Sequence, residues 1–115
     1  GTIERLLRKT GLGPRLDAGN QSAADLSVGE QQRLALVRLI LARPDWAFLD
    51  EATSALDVET EKQVMSLLRA ELPDTTFVIV AHREPQGLGS VRNIPLGVGP
   101  CSPADTAASD YLVRA

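Results

Sequence analysis

Two acidic residues, Asp50 and Glu51, close a short apolar run, and the single histidine, His82, follows another. A carboxylate at the end of a buried strand is a hard oxygen donor suited to Mg²⁺, directly or through water. A second carboxylate beside it can orient or deprotonate a water, and a histidine can hydrogen-bond a phosphate oxygen or that water. Upstream, the stretch LSVGEQQRL at 26–34 sets Ser27 three residues before Glu30, with Gly29 between them. Ser-x-x-Glu ahead of an apolar segment is a capping box: the Ser27 hydroxyl accepts from the Glu30 N–H and Glu30 reaches back. The same helix start, with free N–H groups and a positive dipole end, is an anion site, and Gly29 lets a phosphate approach. Each residue alone has a plainer reading, as a cap, a solvated strand end or a loop histidine.

The elements that must position these residues are legible in outline. Ile3, Leu6 and Leu7 have helical spacing over 2–10, and Gly11, Gly13 and Pro14 end that segment. Residues 15–26 read as loop. Over 28–42 the apolar positions leave little polar face, which predicts a mostly buried helix stopped by Pro44. WAFL at 46–49 is an uninterrupted apolar run, predicting a strand buried on both faces with Trp46 and Phe48 in the core. A helix over 58–72 carries Val64, Leu67, Leu68 and Leu72 on one face, and TFVIVA at 76–81 predicts a second strand. Strand, helix, strand is a βαβ unit, so the strands should be parallel and the crossover right-handed. Beyond His82 no period is sustained, and the segment reads as irregular, with a short helical turn over 107–113. If the two strands are neighbours, Asp50, Glu51 and His82 converge at their carboxyl ends, where open α/β sheets bind ligands. With the anion site at Ser27, the set reads as parts of a nucleotide triphosphatase. The phosphate loop Gly-x-x-x-x-Gly-Lys-Ser/Thr does not occur, since Lys9 follows Arg8 and Lys62 follows Glu61.

Composition narrows the classes. The 115 residues, 43% hydrophobic, suit one small domain or a piece of a larger one. A net charge of −3 gives no basic footprint for nucleic acid. The single cysteine, Cys101, allows no intrachain disulfide and fits a reducing compartment. There is no signal-peptide core and no run of membrane-spanning length. A soluble chain is expected, with any membrane connection made through a partner.

Four motifs in order then resemble the C-terminal part of an ATP-binding cassette (ABC) transporter ATPase domain. LSVGEQQR is similar to the family's signature motif and WAFLDE to its Walker B strand; SALD at 54–57 resembles the D-loop and VIVAHR at 78–83 the switch-histidine region. The wording DEATSALD is typical of exporter-type transporters. The form of the signature and its following helix looks closest to the membrane-fused peroxisomal acyl-CoA and bacterial peptide-uptake type. Val28 and Glu30 depart from the usual glycine and glutamine; a carboxylate near phosphate is unfavourable unless it turns back into the cap.

The resemblance implies a partial P-loop NTPase fold of the α/β class, with parallel strands and packed helices, lacking the phosphate-loop half. Residues 1–84 would be the nucleotide-binding part and 85–115 an irregular tail. It implies ATP and Mg²⁺ as cofactors. Ser27, Gly29 and Glu30 would meet an ATP held by a second nucleotide-binding domain, and Asp57 would link the two sites. Asp50 would hold Mg²⁺, Glu51 would be the catalytic base, and His82 would contact the γ-phosphate. The partners would be that second domain, a transmembrane permease domain and an N-terminal Walker A half, at the cytoplasmic face of a membrane, with no nucleic acid. The function implied is ATP hydrolysis coupled to solute transport; a non-catalytic remnant or interaction module and a DNA-repair or chromosome ATPase fragment are the alternatives. In this family the strand before the switch histidine lies between the Walker B strand and the phosphate-loop strand. TFVIV would therefore be left with one unpaired edge.

Overall fold

Ser27 leaves the preceding segment in extended geometry (φ −64, ψ 163) and opens the longest helix, α3 (Val28–Ala42). In the computed structural model the described residues are 1–19, 25–82, 86–89, 91–95 and 111–114. The capping box is closed from both sides: the Glu30 N–H donates to Ser27 Oγ at 3.2 Å, and the Ser27 N–H donates to Glu30 Oε1 at 3.1 Å. At the other end Arg43 adopts a left-handed conformation, φ 48, and Pro44 follows, so the helix cannot continue. Ahead of α3 stand α1 (Thr2–Lys9) and a short α2 (Gly13–Asp17). The sequence reading had α2 partly as a helix terminator and partly as loop. Pro14 stands in the first turn of this helix instead, where its fixed φ and missing N–H are accommodated. Asp17 is gripped by Arg8 at 2.8 and 3.2 Å, which holds α2 against α1.

The expected βαβ unit is present: β1 (Trp46–Asp50), α4 (Val58–Glu71) and β2 (Thr76–Val80). β1 and β2 are parallel neighbours, paired from Trp46↔Thr76 to Asp50↔Val80. One face of this pair, Ala47 and Leu49 with Phe77 and Ile79, is buried in a single core with Leu36, Val37 and Ile40 of α3 and Val64, Met65 and Leu68 of α4. The opposite face differs from expectation. Trp46 is 55% and Phe48 75% exposed, because strand alternation turns them away from both helices. β1 is thus covered on one face, not two. For the same reason α3 buries a stripe and leaves Leu41 exposed: it packs against one sheet face only.

Two further strands revise the reading of the tail. β4 (Tyr111–Arg114) pairs parallel with β2 from Val78↔Tyr111 to Val80↔Val113, and β3 (Arg92–Pro95) pairs parallel with β4 on its far side. The sheet order is β1-β2-β4-β3. The edge of TFVIV expected to stand unpaired is therefore occupied over Val78–Val80, and the segment read as irregular contributes two strands. Of the helical turn expected over 107–113, residues 107–110 lie outside the described residues and 111–113 are strand. No described helix is long and apolar enough to cross a membrane.

Candidate functional site

Every strand of a parallel sheet points the same way, so the carboxyl ends of β1 and β2 fall side by side. Glu51 is the first residue beyond β1. Its φ of 52 is a conformation most residues avoid, and its N–H donates to the Val80 carbonyl at 2.9 Å. The register of the two strands thus sets where Glu51 leaves the sheet. His82 lies just past β2, and its Nε2 is 3.3 Å from Glu51 Oε1. The two side chains border a hollow of about 250 Å³ whose floor includes Leu49, Met65 and Ile79. Asp50, by alternation, shares the open sheet face with Trp46 and Phe48 and is exposed. The carboxylates adjacent in sequence therefore serve two sides of the strand end.

A second hollow, about 430 Å³, lies at the start of α3 and is bordered by Ser27, Gly29, Arg33 and Asp57. Asp57 caps α4, accepting the Thr60 N–H at 2.7 Å. Its carboxyl is held below the usual range by the Thr60 hydroxyl and N–H, with Arg33 adding to this. Gly29 faces the D-loop stretch: a Cβ there would sit 3.4 Å from the Ala55 carbonyl and 3.5 Å from Leu56 Cδ2, ordinary contact distances. Packing alone does not require glycine at this position. The expected site residues are thus gathered into two groups, Glu51 with His82 and Ser27 with Gly29 and Asp57, on either side of residues 51–57. Asp50 stands apart from both.

Two residues that the sequence reading passed over organise these groups. Gln32 on α3 donates through Nε2 to the Glu51 carbonyl at 3.3 Å and to Ser54 Oγ at 3.0 Å, and its Oε1 accepts the Ala55 N–H at 3.0 Å. One amide therefore clamps the turn that joins the two hollows. Four polar residues in a row, Glu30 to Arg33, lie in the first turns of this helix, and nothing in the sequence sets Gln32 apart from its neighbours. Arg15, on α2, grips Glu30 with Nε at 2.7 Å and Nη2 at 2.9 Å. Together with the Ser27 N–H this holds the Glu30 carboxyl down at about 2, so it stays ionised and turned into the cap. The concern that Glu30 would repel a phosphate is met by geometry: its charge is spent on Arg15 and the cap. Arg15 sits in a segment read as loop, where nothing in the sequence marked it.

Chemically, the first hollow joins a carboxylate that can accept a proton to an imidazole at the surface. The second offers the N–H groups of a helix start and a serine hydroxyl, both anion donors. No group of three or more His, Cys, Asp or Glu able to hold a metal occurs among the described residues. The donor set fits Mg²⁺ arriving with phosphates, which takes one or two carboxylates from the protein, better than a resident metal cage.

Comparison with known proteins agrees with the motifs. Residues 1–54 match the family model described as ABC transporter. The chain is 57% identical over 58 residues to an uncharacterized ABC transporter ATP-binding protein of Haemophilus influenzae, a match covering 50% of the chain and 10% of that relative. It is 39% identical over 85 residues to the inner membrane ABC transporter ATP-binding protein YddA of Escherichia coli, covering 71% of the chain and 15% of the relative. It is 41% identical over 81 residues to the mitochondrial iron-sulfur clusters transporter ATM1 of Yarrowia lipolytica, covering 70% of the chain and 11% of the relative. The matched stretches span no more than 15% of any of these three relatives. The family model over residues 1–54 and these relatives agree: part of this chain is similar to the ATP-binding portion of ABC transporters.

Proposed function

We propose that the chain is the signature-to-switch portion of an ATP-hydrolysing unit that drives solute transport by an ABC transporter. The observation that carries this is the Glu51–His82 pair, 3.3 Å apart at the carboxyl ends of two parallel strands, in a chain whose relatives are ABC transporters. Glu51 receives the proton of the attacking water, and His82 hydrogen-bonds the terminal phosphate beside it. Ser27 and Gly29, at the start of α3, receive the phosphate of an ATP held by a second nucleotide-binding domain, with Glu30 shaping that helix start. Asp57 links the two sites. Asp50 would hold Mg²⁺, which when bound neutralises phosphate charge.

On this reading a segment carrying a phosphate loop, a pattern that does not occur within residues 1–115, completes the site within the family's P-loop NTPase frame. A transmembrane permease domain and a location at the cytoplasmic face of a membrane follow from the same reading. Within the family, the wording of the signature and Walker B stretches favours the membrane-fused peroxisomal acyl-CoA and bacterial peptide-uptake type.

The test has two arms. The purified chain alone should show no Mg-ATPase above background. Fused to an N-terminal half that carries a phosphate loop, it should gain ATP-dependent dimerisation and hydrolysis. Glu51→Gln should then abolish hydrolysis and keep the dimer. Hydrolysis by the fusion that survives Glu51→Gln would overturn the assignment.

A further inference from the structure

Among the described residues Glu61 is the one carboxylate set deep in the core: on α4, 2% exposed, among Val64, Met65 and Leu68. Burying a carboxylate is unfavourable unless it is well hydrogen-bonded, and here each oxygen meets a donor from a different segment. Oε2 accepts the Thr53 hydroxyl at 3.1 Å, and Oε1 accepts the Gln86 N–H at 3.1 Å. Thr53 belongs to the turn that begins with Glu51; Gln86 belongs to the stretch that follows His82. The second stretch is further fastened to the same helix. The Ser66 hydroxyl donates to the Gly87 carbonyl at 3.3 Å, and Leu88 is buried in the core. Gly87, at φ 97, lies so close to α4 that a Cβ would come within 2.6 Å of the Lys62 carbonyl. Glu61 also borders the hollow that Glu51 and His82 share.

We propose that Glu61 is a positioning residue: by tying Thr53 and Gln86 to one point on α4, it sets the separation of Glu51 and His82. An apolar side chain would fill the space without joining the two arms. The inference rests on reading Glu51 and His82 as a working pair, and its test keeps the two ideas apart. His82 is the single histidine of the chain, so its ring C–H resonances are unambiguous by NMR. At one fixed pH, the full chain and its Glu51→Gln variant should differ at the His82 ring. The same substitution should move that ring by less than half as much in a Glu61→Ala background, and Thr53→Val should weaken the response in part. Glu61→Gln, which keeps an acceptor oxygen in place, should restore most of it. Should Glu61→Ala fail to fold, Thr53→Val and Glu61→Gln carry the comparison. An undiminished response in the Glu61→Ala or Thr53→Val chain overturns the role of Glu61 and leaves the pair standing. No response to Glu51→Gln in the parent chain overturns both.

Discussion

Glu30 shows how one side chain can serve a cap and a charge pair together. Its carboxyl is held at about 2, first by Arg15 and then by the Ser27 N–H, against roughly 4.3 for an unperturbed glutamate. A lowered native value means that the unfolded chain takes up the proton first. The stabilisation is complete above the unfolded value and is lost as pH falls from there towards about 2. Asp17 and Glu71, paired with Arg8 and Arg5, are shifted in the same direction. The readout must therefore be a difference: thermal melts of the parent and Glu30→Gln chains should converge as pH falls through that window, with the parent more stable above it. Parallel curves would remove Arg15 from the explanation. Gly29 offers a separate test at this scale. Since a Cβ would meet only ordinary contacts, Gly29→Ala should leave stability unchanged or raise it by up to about 1 kcal/mol, alanine being the better helix former. In the completed fusion the same change should weaken ATP-dependent dimerisation. A large loss of stability in a urea titration would show that glycine serves the fold.

The helices and strands differ in how openly the sequence declares them. α3 and α4 follow from apolar composition and period, and β1 and β2 from unbroken apolar runs, bounded by Ser27, Pro44, Asp57 and Pro73, which are strong local signals. Leu68 and Phe77 are fully buried between α4 and the sheet; the period of α4 implies the first, while an unbroken apolar strand leaves open which of its sides is covered. Leu68→Ala should lower stability by about 2–5 kcal/mol in denaturant unfolding, the range for a core truncation that leaves a cavity. A cost under about 1 kcal/mol would mean the α4–sheet contact is not part of the cooperative core. Other features were hidden for physical reasons. WAFL reads the same whether a strand is covered on one face or both, so the exposure of Trp46 and Phe48 depends on what surrounds the sheet. β3 and β4 have four residues each, too few to show a period, and their hydrogen bonds come from neighbours distant in sequence. At the site, Glu51 and His82 were legible because strand ends are marked by composition, and their pairing adds the register of β1 on β2. Gln32, Arg15 and Glu61 act through partners 8 to 25 residues away, which no local pattern announces.

At the scale of the molecule, β1 forms one of the outer strands of the described sheet, with one face covered and the other exposed. Trp46 and Phe48, 55% and 75% exposed, lie on the same face of that outer strand, an arrangement that favours association between copies. Sedimentation velocity over a concentration series should show self-association of the parent chain and less of it for Phe48→Lys. Identical profiles would show that this face does not mediate contact. The sheet order carries one more consequence, for how the chain is made. β4 follows β3 in the sequence, yet it sits between β2 and β3. A chain emerging from the ribosome presents β2 first and β3 next, while the strand that must join them is still inside the exit tunnel. β3 cannot dock by itself, because its pairing runs through β4. The flank of the sheet beyond β2 therefore closes only after translation has passed residue 114, and until then the growing chain holds TFVIV as a free strand edge within reach of chaperones and neighbouring chains.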